Sequence, residues 1–336
     1  MKKILVTGSA GFIGSFLTKV LAESGYDVVG VDNINNYYDV NLKYDRLREL
    51  CGIKQEEIED HIPCMSYIYD NLIFYKADIT DIKCLNKLFE TQKFDIVCNL
   101  AAQAGVRYSI ENPKSYADSN LVGFLNILEC CRHYNVKHLV YASSSSVYGM
   151  NEKTPFSESD CTDNPVSLYA ATKKANELMA YAYTNLYNFS TTGLRFFTVY
   201  GPWGRPDMSP YIFMKAITDK KPIHIFNNGN MKRDYTYIMD IILGIVSVVE
   251  NDPKNVRAEV YNIGRGEPID IMDFIKCMEK IVGVNGNYIF EGMKPGDVKC
   301  TYADTFKLER DYGYSPKVGI KEGLEKMFHW YKGYMK

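Results

Sequence analysis

The sequence predicts an α/β protein built on a doubly wound, mostly parallel β-sheet. Short apolar runs typical of buried strands alternate with helical segments at least five times over residues 3–142. The first run is followed by a glycine turn that leads directly into a helix, and the second ends in a carboxylate. Because ligands of such sheets bind beyond the carboxyl ends of the strands, we expect the functional residues there.

Composition indicates a globular protein of about two domains, since 336 residues are too many for one simple core. With 39 basic and 41 acidic residues the net charge is −2, which argues against a nucleic-acid or membrane surface. We expect no signal peptide and no membrane segment. The nine cysteines lack C-x-x-C pairing and the five histidines lack metal-ligand spacing, which predicts a cytoplasmic protein with free thiols and no metal site.

The first strand, turn and helix form a candidate dinucleotide-binding pattern. The strand Lys3–Val6 is followed by Gly8, Gly11 and Gly14, and apolar residues then recur at helical spacing as far as Leu21. Gly8 supplies the tight turn, Gly11 lets the backbone approach a pyrophosphate, and Gly14 lets the helix pack close to the sheet. The helix N-terminus offers free N–H groups to that anion.

The second strand strengthens this interpretation. The spacing G-x-x-G-x-x-G is one residue longer than the common fingerprint, and a glycine turn alone can be structural. However, the strand Val28–Val31 ends in Asp32, about 20 residues beyond the glycines, as the fingerprint requires. A carboxylate here binds both ribose hydroxyls and repels a 2′-phosphate, so the sequence predicts NAD rather than NADP.

The segment between the second and third strands is polar and irregular. The loop at residues 33–38 either lines the adenosine pocket or caps the sheet, and residues 42–50 are predicted to be helical. The acidic segment at residues 51–70 is predicted to be a surface excursion. The third strand, Leu72–Tyr75, precedes Asp78, which either reaches the adenine amine or caps the following helix.

The fourth and fifth strands, Phe94–Leu100 and Lys137–Ala142, are each followed by residues suited to a binding site. Ala101 and Ala102 are small enough for a backbone that passes close to a ligand. A long helix is predicted at residues 115–133, and the fifth strand leads into a run of four serines.

A tyrosine and a lysine in the next helix form a candidate acid–base pair. Tyr169 and Lys173 are four residues apart and share one helix face. A phenol with a pKa of about 10 needs nearby positive charge to act as a base at neutral pH, and the ammonium of Lys173 together with a cationic nicotinamide ring would supply it. Ser144, in the serine run, can hydrogen-bond the same substrate oxygen. The alternatives are a solvated helix face for the pair and a strand-end turn for the serines.

The remainder of the chain predicts a smaller second domain of mixed α/β structure. The sixth strand, Thr191–Phe196, is followed by a turn-rich loop at Tyr200–Asp207, after which the elements become shorter. We predict that residues 1–197 form the first domain, which 234–265 rejoin, and that 198–233 and 266–336 form the second.

Several stretches also carry family-specific motifs. The Tyr-x-x-x-Lys pair is one, and the runs Ala-Gln-Ala-Gly-Val-Arg-Tyr-Ser and Phe-Phe-Thr-Val-Tyr-Gly-Pro-Trp-Gly-Arg-Pro-Asp are two others. With these motifs the chain resembles the extended short-chain dehydrogenases/reductases of the nucleotide-sugar epimerase branch, and more narrowly the UDP-glucuronate 4-epimerases. The resemblance covers nearly the whole chain and implies a Rossmann-type fold. The stretches are Asn99–Pro113, Ser143–Gly149, Pro165–Leu178, Gly193–Asp207, Arg233–Asp240 and Met293–Asp297.

This resemblance implies a reaction without net oxidation. Tyr169 would remove the proton from the sugar 4-hydroxyl while C4 gives hydride to tightly held NAD, and the 4-keto sugar would turn over and take the hydride back on its other face. Lys173 would bind the nicotinamide ribose and lower the pKa of Tyr169, while Ser144 would bind the 4-oxygen with Ser145 and Ser146 nearby. The expected cofactor-binding residues are Gly8, Gly11, Phe12, Ile13, Gly14, Asp32, Asn33, Asp78, Ile79, Leu100, Ala101, Ala102, Asn120, Tyr169 and Lys173.

The resemblance also implies how a UDP-sugar is held. Arg233 would bind the UDP phosphates, Asp297 a ribose, and Thr198 another part of the substrate. A 4-keto uronic acid is a β-keto acid that loses carbon dioxide readily, so the enzyme must hold its carboxylate. Arg205 can pair with a carboxylate bidentately, although it can instead tie down its own loop. Arg107 is a further candidate for this pocket or for the phosphates.

Ser145 and Ser146 stand where dehydratases and decarboxylases of this branch carry an acid, which favours epimerisation. The alternatives are an epimerase for UDP-glucose or UDP-N-acetylglucosamine, a UDP-glucuronate decarboxylase, and a catalytically inactive NAD-binding protein. Lys294 and the excursion at residues 51–70 depart from the subgroup pattern. The helices at residues 115–133 and 165–186 suggest a homodimer seam, although their composition suits an internal core equally.

Overall fold

In the computed structural model, thirteen strands and twelve α-helices are described over residues 2–251, 253, 255–294 and 296–335. Pro295, part of the predicted Met293–Asp297 motif, lies outside the described residues. The strands are β1 (Lys3–Thr7), β2 (Asp27–Asp32), β3 (Pro63–Met65), β4 (Leu72–Lys76), β5 (Ile96–Asn99), β6 (His138–Ser144), β7 (Ser190–Phe196), β8 (Thr198–Tyr200), β9 (Pro222–Ile225), β10 (Lys232–Tyr237), β11 (Ala258–Ile263), β12 (Pro268–Asp270) and β13 (Asn287–Phe290). The helices are α1 (Phe12–Glu23), α2 (Val40–Cys51), α3 (Ile82–Gln92), α4 (Tyr108–Glu111), α5 (Pro113–Tyr116), α6 (Phe124–His133), α7 (Leu168–Tyr187), α8 (Ser209–Thr218), α9 (Ile238–Glu250), α10 (Ile271–Val282), α11 (Phe306–Tyr312) and α12 (Ile320–Tyr334).

Eight strands form a central sheet in the order β11-β7-β6-β5-β1-β2-β4-β3. All neighbouring pairs are parallel except β3 and β4, which are antiparallel. The chain builds the sheet outward from β1 in one direction and then returns to add β5 on the other side, so the strand order reverses between β1 and β5. The doubly wound, Rossmann-type fold is therefore confirmed, and its crevice opens at this reversal.

Helices cover both faces of the sheet because its inner strands are apolar on both sides. Ile4 and Val6 of β1 face one apolar core, which includes residues of α1, α2 and α9. Leu5 faces the other core, which includes residues of α3, α6 and α7. A parallel strand whose side chains alternate between two cores must be apolar along its whole length.

The C-terminal part of the chain forms two smaller sheets beside the crevice. One has the order β12-β10-β8, with β10 parallel to β8 and antiparallel to β12, and the other pairs β9 with β13. Strand β11 instead returns to the central sheet beside β7. The division into two domains stays a prediction. Within the described residues, no helix is both long enough and apolar enough to span a bilayer.

Two segments differ from the sequence prediction. The excursion at residues 51–70 contains a 3-10 turn at Gln55–Glu57 and then β3, which pairs with the edge of the sheet. Only Cys64 of β3 points inward, so its apolar pattern is too short to recognise. The helix predicted at residues 115–133 is interrupted by a π-helical segment at Ala117–Gly123. Such interruptions depend on local packing that periodicity does not reveal.

Candidate active site

A cavity of about 940 Å³ lies at the carboxyl ends of the central strands, between the sheet and the smaller C-terminal sheets. Every residue predicted from the sequence to bind cofactor or substrate lines it, except Asp78 and Asn120. Its volume is at the upper end of the range for ligand pockets, which suits two ligands bound side by side.

The glycine turn at one end of the cavity is shaped for an anion. Gly8 has φ +75°, and a Cβ there would lie 2.8 Å from the backbone N of Ala101. A Cβ at Gly14 would lie 2.0 Å from the Gly8 carbonyl oxygen. Helix α1 begins after Gly11 with no side-chain cap and no acidic residue in its first turn, so its N–H groups are available to a phosphate.

Asp32 lies at the end of β2 with its carboxylate buried. Its Oδ2 accepts a hydrogen bond from Ala10 N at 3.1 Å, and its Oδ1 accepts one from Ile34 N at 2.8 Å. Each oxygen keeps a lone pair for a ribose hydroxyl. The ammonium of Lys43 lies 4.0 Å from Oδ1. Together with the free helix N-terminus, this arrangement fits the adenosine half of NAD.

Two predicted cofactor residues have other roles in the structure. Asp78 accepts hydrogen bonds from Asn33 Nδ2 and from the N–H and hydroxyl of Thr80, whereas α3 is capped by Asp81. Asp78 thus braces Asn33, which does line the cavity. The amide of Asn120 is consumed by the backbone of Gln103 and the hydroxyl of Thr172. It fixes the small-residue loop after β5 to α7 and is turned away from the cavity.

The three predicted catalytic residues converge inside the cavity. Ser144 ends β6, and its Oγ accepts hydrogen bonds from the N–H and the hydroxyl of Ser146 at 3.1 and 2.9 Å. Its own proton is therefore free to be donated towards the Tyr169 phenol, whose pKa this hydroxyl acts to lower. Lys173 donates from Nζ to the carbonyl oxygen of Ala142 at 2.8 Å and lies 5.9 Å from the centre of the Tyr169 ring.

Burial is the largest influence on the pKa values of Tyr169 and Lys173 in this centre. Burial raises the pKa of the Tyr169 phenol, although the charge of Arg205 and the Ser144 hydroxyl act to lower it. Burial also lowers the pKa of Lys173 to about 8. The protein alone thus leaves the phenol protonated, and Lys173 is directed to a backbone carbonyl. A further positive charge, such as the oxidised nicotinamide ring of bound NAD, is needed to favour phenolate.

Arg205 lies on the loop after β8 and is held by a neighbour. Its Nε donates to Asp207 Oδ1 at 3.0 Å and its Nη2 donates to Asp207 Oδ2 at 2.5 Å. Tyr37 donates its hydroxyl to the same Oδ2 at 3.0 Å. Arg205 therefore does tie its own loop, but among the described residues no hydrogen bond involves its Nη1. The second edge of the guanidinium remains for a ligand.

Two more arginines line the opposite, C-terminal side of the cavity. Arg107 donates to Asp297 at 3.0 Å and stacks on Phe226, with 4.4 Å between the guanidinium carbon and the ring centre. Among the described residues, Arg233 on β10 donates only to the carbonyl oxygens of Lys232 and Lys299, and burial lowers its pKa. A half-buried cation without a carboxylate among its described partners is suited to a phosphate.

Among the described residues, the lining carboxylate that acts on the pKa of Tyr169 is paired with an arginine. The carboxylates that line the cavity in this part of the chain are Asp32, Glu111, Asp207 and Asp297. Asp207, which is near Tyr169, is paired with Arg205. Burial raises the pKa of Asp207, but the charge of Arg205 and the hydrogen bonds to the carboxylate outweigh burial and keep this pKa below its usual value. An ionised, paired carboxylate cannot supply the proton that an elimination requires.

Sequence reasoning missed several residues that line the cavity. Asn35, Tyr37 and Tyr38 belong to the loop at residues 33–38, for which the sequence allows either a pocket wall or a cap, and Lys43 belongs to α2. A lysine on an amphipathic helix is typical of a solvated face, so only the tertiary structure reveals that Lys43 points inward. The position of the loop directly after Asp32 was the one available signal.

Comparison with known proteins agrees with this site. The model of the NAD dependent epimerase/dehydratase family matches residues 4–264. UDP-glucuronate 4-epimerase 2 of Arabidopsis thaliana is 42% identical, over 99% of this chain and 76% of that protein. The crystal structure of UDP-glucuronic acid 4-epimerase from Bacillus cereus in complex with UDP-glucuronic acid and NAD is similar at a TM-score of 0.89 and 35% identity, over 99% of both chains. UDP-glucose 4-epimerase of Thermotoga maritima, with UDP-glucose, matches at 0.85 and 29% identity, over 99% of this chain and 100% of that one.

The cofactor and the class of enzyme follow from these matches together with the geometry. The glycine turn, the uncapped α1 and Asp32 fit NAD, and the family that matches is NAD-dependent. The predicted cofactor and the predicted NAD-dependent enzyme are thus confirmed. With a family match over well more than half of its length, this chain belongs to the NAD-dependent epimerase/dehydratase family.

Proposed function

We propose that this protein interconverts UDP-glucuronate and UDP-galacturonate by inverting C4 of the sugar. The observation that carries the proposal is the position of Arg205: it lines the same cavity as Tyr169, Asp207 holds it in place, and its charge acts on the Tyr169 phenol. In a uronate the carboxylate is attached to C5, next to the reacting C4. A cation that lines the same cavity as the base can therefore bind the carboxylate while the 4-hydroxyl is hydrogen-bonded to Tyr169.

The class of reaction, UDP-sugar 4-epimerisation, has support beyond this one residue. Relatives and structural neighbours of this chain that are named for their activity act on the 4-position of UDP-sugars. Tyr169, Lys173 and Ser144 form a proton-transfer site at the place where the sugar and the cofactor must meet. The chain is a UDP-sugar 4-epimerase, and the identity of the sugar is the part we propose.

The chain's own groups can perform the proton steps. Tyr169 accepts the 4-hydroxyl proton and later returns it, and Ser144 donates a hydrogen bond to the same oxygen throughout. When bound, NAD supplies the hydride acceptor and donor. Lys173 holds the cofactor's ribose and adds positive charge beneath the phenol. Since the proton and the hydride are both returned, the sugar changes configuration without net oxidation.

Arg205 has a second role in this scheme. Loss of carbon dioxide from a β-keto acid transfers the carboxylate charge to an enolate, so a cation bound to the carboxylate stabilises the acid relative to that transition state. The free edge of Arg205 can donate two hydrogen bonds to one carboxylate. This argument favours epimerisation over decarboxylation.

The experiment compares UDP-glucuronate with UDP-glucose in the wild type, Arg205→Ala and Arg205→Lys. Loss of the paired guanidinium is expected to lower kcat/KM for UDP-glucuronate by about tenfold to a hundredfold, since hydrogen bonds to charged groups contribute about 1.5–3 kcal/mol. Activity on UDP-glucose, where detectable, should change less. Full activity of Arg205→Ala on the uronate would refute the carboxylate role and favour a neutral UDP-hexose as substrate.

We also propose that the protein forms a homodimer through α6 and α7. Leu178, Tyr181 and Leu186 of α7 expose 59%, 61% and 70% of their surface, and Val122 and Leu125 are exposed on the neighbouring helix. Apolar residues clustered on two adjacent helices are typical of a protein–protein interface. Their exposure supports the proposed interface, because these side chains do not belong to an internal core.

A further inference from the structure

Arg46 of α2 is completely buried and contacts two functional loops. Its Nε and Nη2 donate to the carbonyl oxygen of Trp203 at 2.9 and 2.7 Å, and Nη2 also donates to Gly204 O at 3.3 Å. On its other side, Nη1 donates to Ala10 O at 3.3 Å and to the hydroxyl of Tyr38 at 2.6 Å. One guanidinium thus bridges segments that are far apart in sequence.

Both bridged segments belong to the active site. Ala10 lies within the glycine turn, between Gly8 and Gly11. Trp203 and Gly204 directly precede Arg205. Trp203 has φ +61°, an unusual conformation for a bulky residue that surrounding contacts must maintain. Arg46 holds its carbonyl group.

The indole ring of Trp203 is held separately, by α12. Its centre lies 5.2 Å from that of Trp330 and 5.1 Å from that of Tyr334. The loop before Arg205 is therefore fixed from two sides, with its backbone on Arg46 and its side chain on the C-terminal helix.

Arg46 has no acidic partner in the part of the chain that the structure describes. Its hydrogen-bond acceptors are three carbonyl groups and a phenol, and none of the ion pairs among the described residues includes it. A buried charge with only neutral acceptors costs desolvation energy that such contacts offset poorly. Five rigid donors in one plane are, however, suited to fixing several carbonyl groups at once. The contacts therefore point to a role in geometry rather than in stability.

We infer that Arg46 is a positioning residue that fixes the distance between the Arg205 loop and the cofactor-binding glycine turn. Arg205 can then bind the sugar carboxylate while the sugar is correctly placed beside bound NAD. This inference rests on the proposed function, because it concerns selectivity for a uronate. Without Arg46, the loop keeps its Trp203 anchor but loses its fixed distance from the glycine turn. Uronate binding should suffer more than the binding of a neutral sugar.

The test measures equilibrium binding of UDP-glucuronate and UDP-glucose by calorimetry, in a Tyr169→Phe background that prevents turnover and at matched NAD content. Arg46→Met is expected to lower the preference for UDP-glucuronate about tenfold, which corresponds to about 1.4 kcal/mol. Arg48→Met is the matched control, since Arg48 is on the same helix but is exposed and paired with Asp45 and Glu49. It should leave the preference unchanged.

Two further variants make the result decisive. Combined with Arg205→Ala, Arg46→Met should lower the preference no further, because both act through the same guanidinium. If Arg46→Met does not fold, Arg46→Lys keeps the buried charge but cannot bridge both loops, and it should lower the preference in the same direction. Equal weakening of both ligands, or an unchanged preference, would overturn the inference. If Arg205→Ala alone leaves the preference for UDP-glucuronate over UDP-glucose unchanged, the proposed function is wrong, whatever the result for Arg46.

Discussion

The guanidinium of Arg195 and the carboxylate of Glu177 form a buried, bidentate ion pair, with Nε–Oε1 and Nη2–Oε2 distances of 2.8 Å. Glu177 lies one helical turn after Lys173 on α7, and Arg195 lies on β7. The hydroxyl of Ser143 donates to Glu177 Oε1 at 2.6 Å, directly beside Ser144. The pair thus ties the helix of Tyr169 to the strand of Ser144 and sets the spacing of the catalytic groups.

Breaking this pair should destabilise the whole domain. Glu177→Gln leaves the Arg195 charge buried without compensation, so we expect the free energy of unfolding to fall by about 3–5 kcal/mol in chemical denaturation. Glu322→Gln is the control, because the exposed Glu322–Lys326 pair on α12 should contribute less than about 1 kcal/mol. Similar losses for the two variants would contradict the structural role of the buried pair.

Tyr169→Phe should remove the proton acceptor and leave the binding site intact. Since general acid–base catalysis contributes about a hundredfold to ten-thousandfold, kcat should fall by this factor while UDP-sugar affinity changes little. Tyr187→Phe, which changes an exposed tyrosine at the end of the same helix, should behave as the wild type. Normal turnover by Tyr169→Phe would exclude Tyr169 as the base.

The buried ammonium of Lys173 predicts a pH-dependent stability. Burial lowers its pKa to about 8 in the folded protein, whereas an unfolded lysine keeps its proton to about pH 10. Below pH 8 both states are protonated and the full cost of the buried charge is present. Above about pH 8 the folded state binds fewer protons than the unfolded state. The free energy of unfolding therefore rises with pH relative to that of a variant without this lysine.

The measurement is the free energy of unfolding of wild type and Lys173→Met between pH 7 and 10. The stability of the variant relative to wild type should be greatest at pH 7 and decline above about pH 8, by up to about 1.4 kcal/mol per unit. Lys174→Met controls for the loss of a lysine from the same helix. Parallel profiles for wild type and Lys173→Met would show that the ammonium is not perturbed.

A charge on the exposed face of α7 should dissociate the proposed dimer. Leu178→Glu places a carboxylate in the expected interface, and sedimentation velocity should then detect a monomer where the wild type is a dimer. Leu243→Glu changes an equally exposed leucine on α9 and should leave the assembly intact. A monomeric wild type, or a dimer that survives Leu178→Glu, would contradict the proposed seam.

The sheet and most of its binding residues could be predicted because they obey local rules. Apolar runs such as Lys3–Val6 are buried on both faces. Gly14 is required because a Cβ there would clash with the backbone of Gly8, only six positions away. Ser144, Tyr169 and Lys173 occupy strand-end and helix-start positions that the topology brings together. Sequence periodicity encodes such features directly.

The remaining features depend on contacts between distant segments. Arg46 resembles a solvated helix residue until the Trp203 loop, 157 positions away, covers it. Asn120 resembles a ligand residue until Gln103 and Thr172 take its amide. The Tyr-x-x-x-Lys spacing predicts that Lys173, together with the nicotinamide ring, lowers the pKa of Tyr169, but it does not reveal the burial that raises this pKa in the protein alone. In each case tertiary packing decides the role of a polar side chain.

The most direct test of the proposed function is the product formed from UDP-glucuronate by the purified protein without added NAD, followed by NMR. The geometry of Tyr169, Ser144 and Arg205 predicts UDP-galacturonate, accumulating to equilibrium with no net production of NADH. UDP-pentose would mean that the carboxylate is lost and that Arg205 does not protect it. No conversion of the uronate, with turnover of UDP-glucose or UDP-N-acetylglucosamine instead, would contradict the assigned substrate.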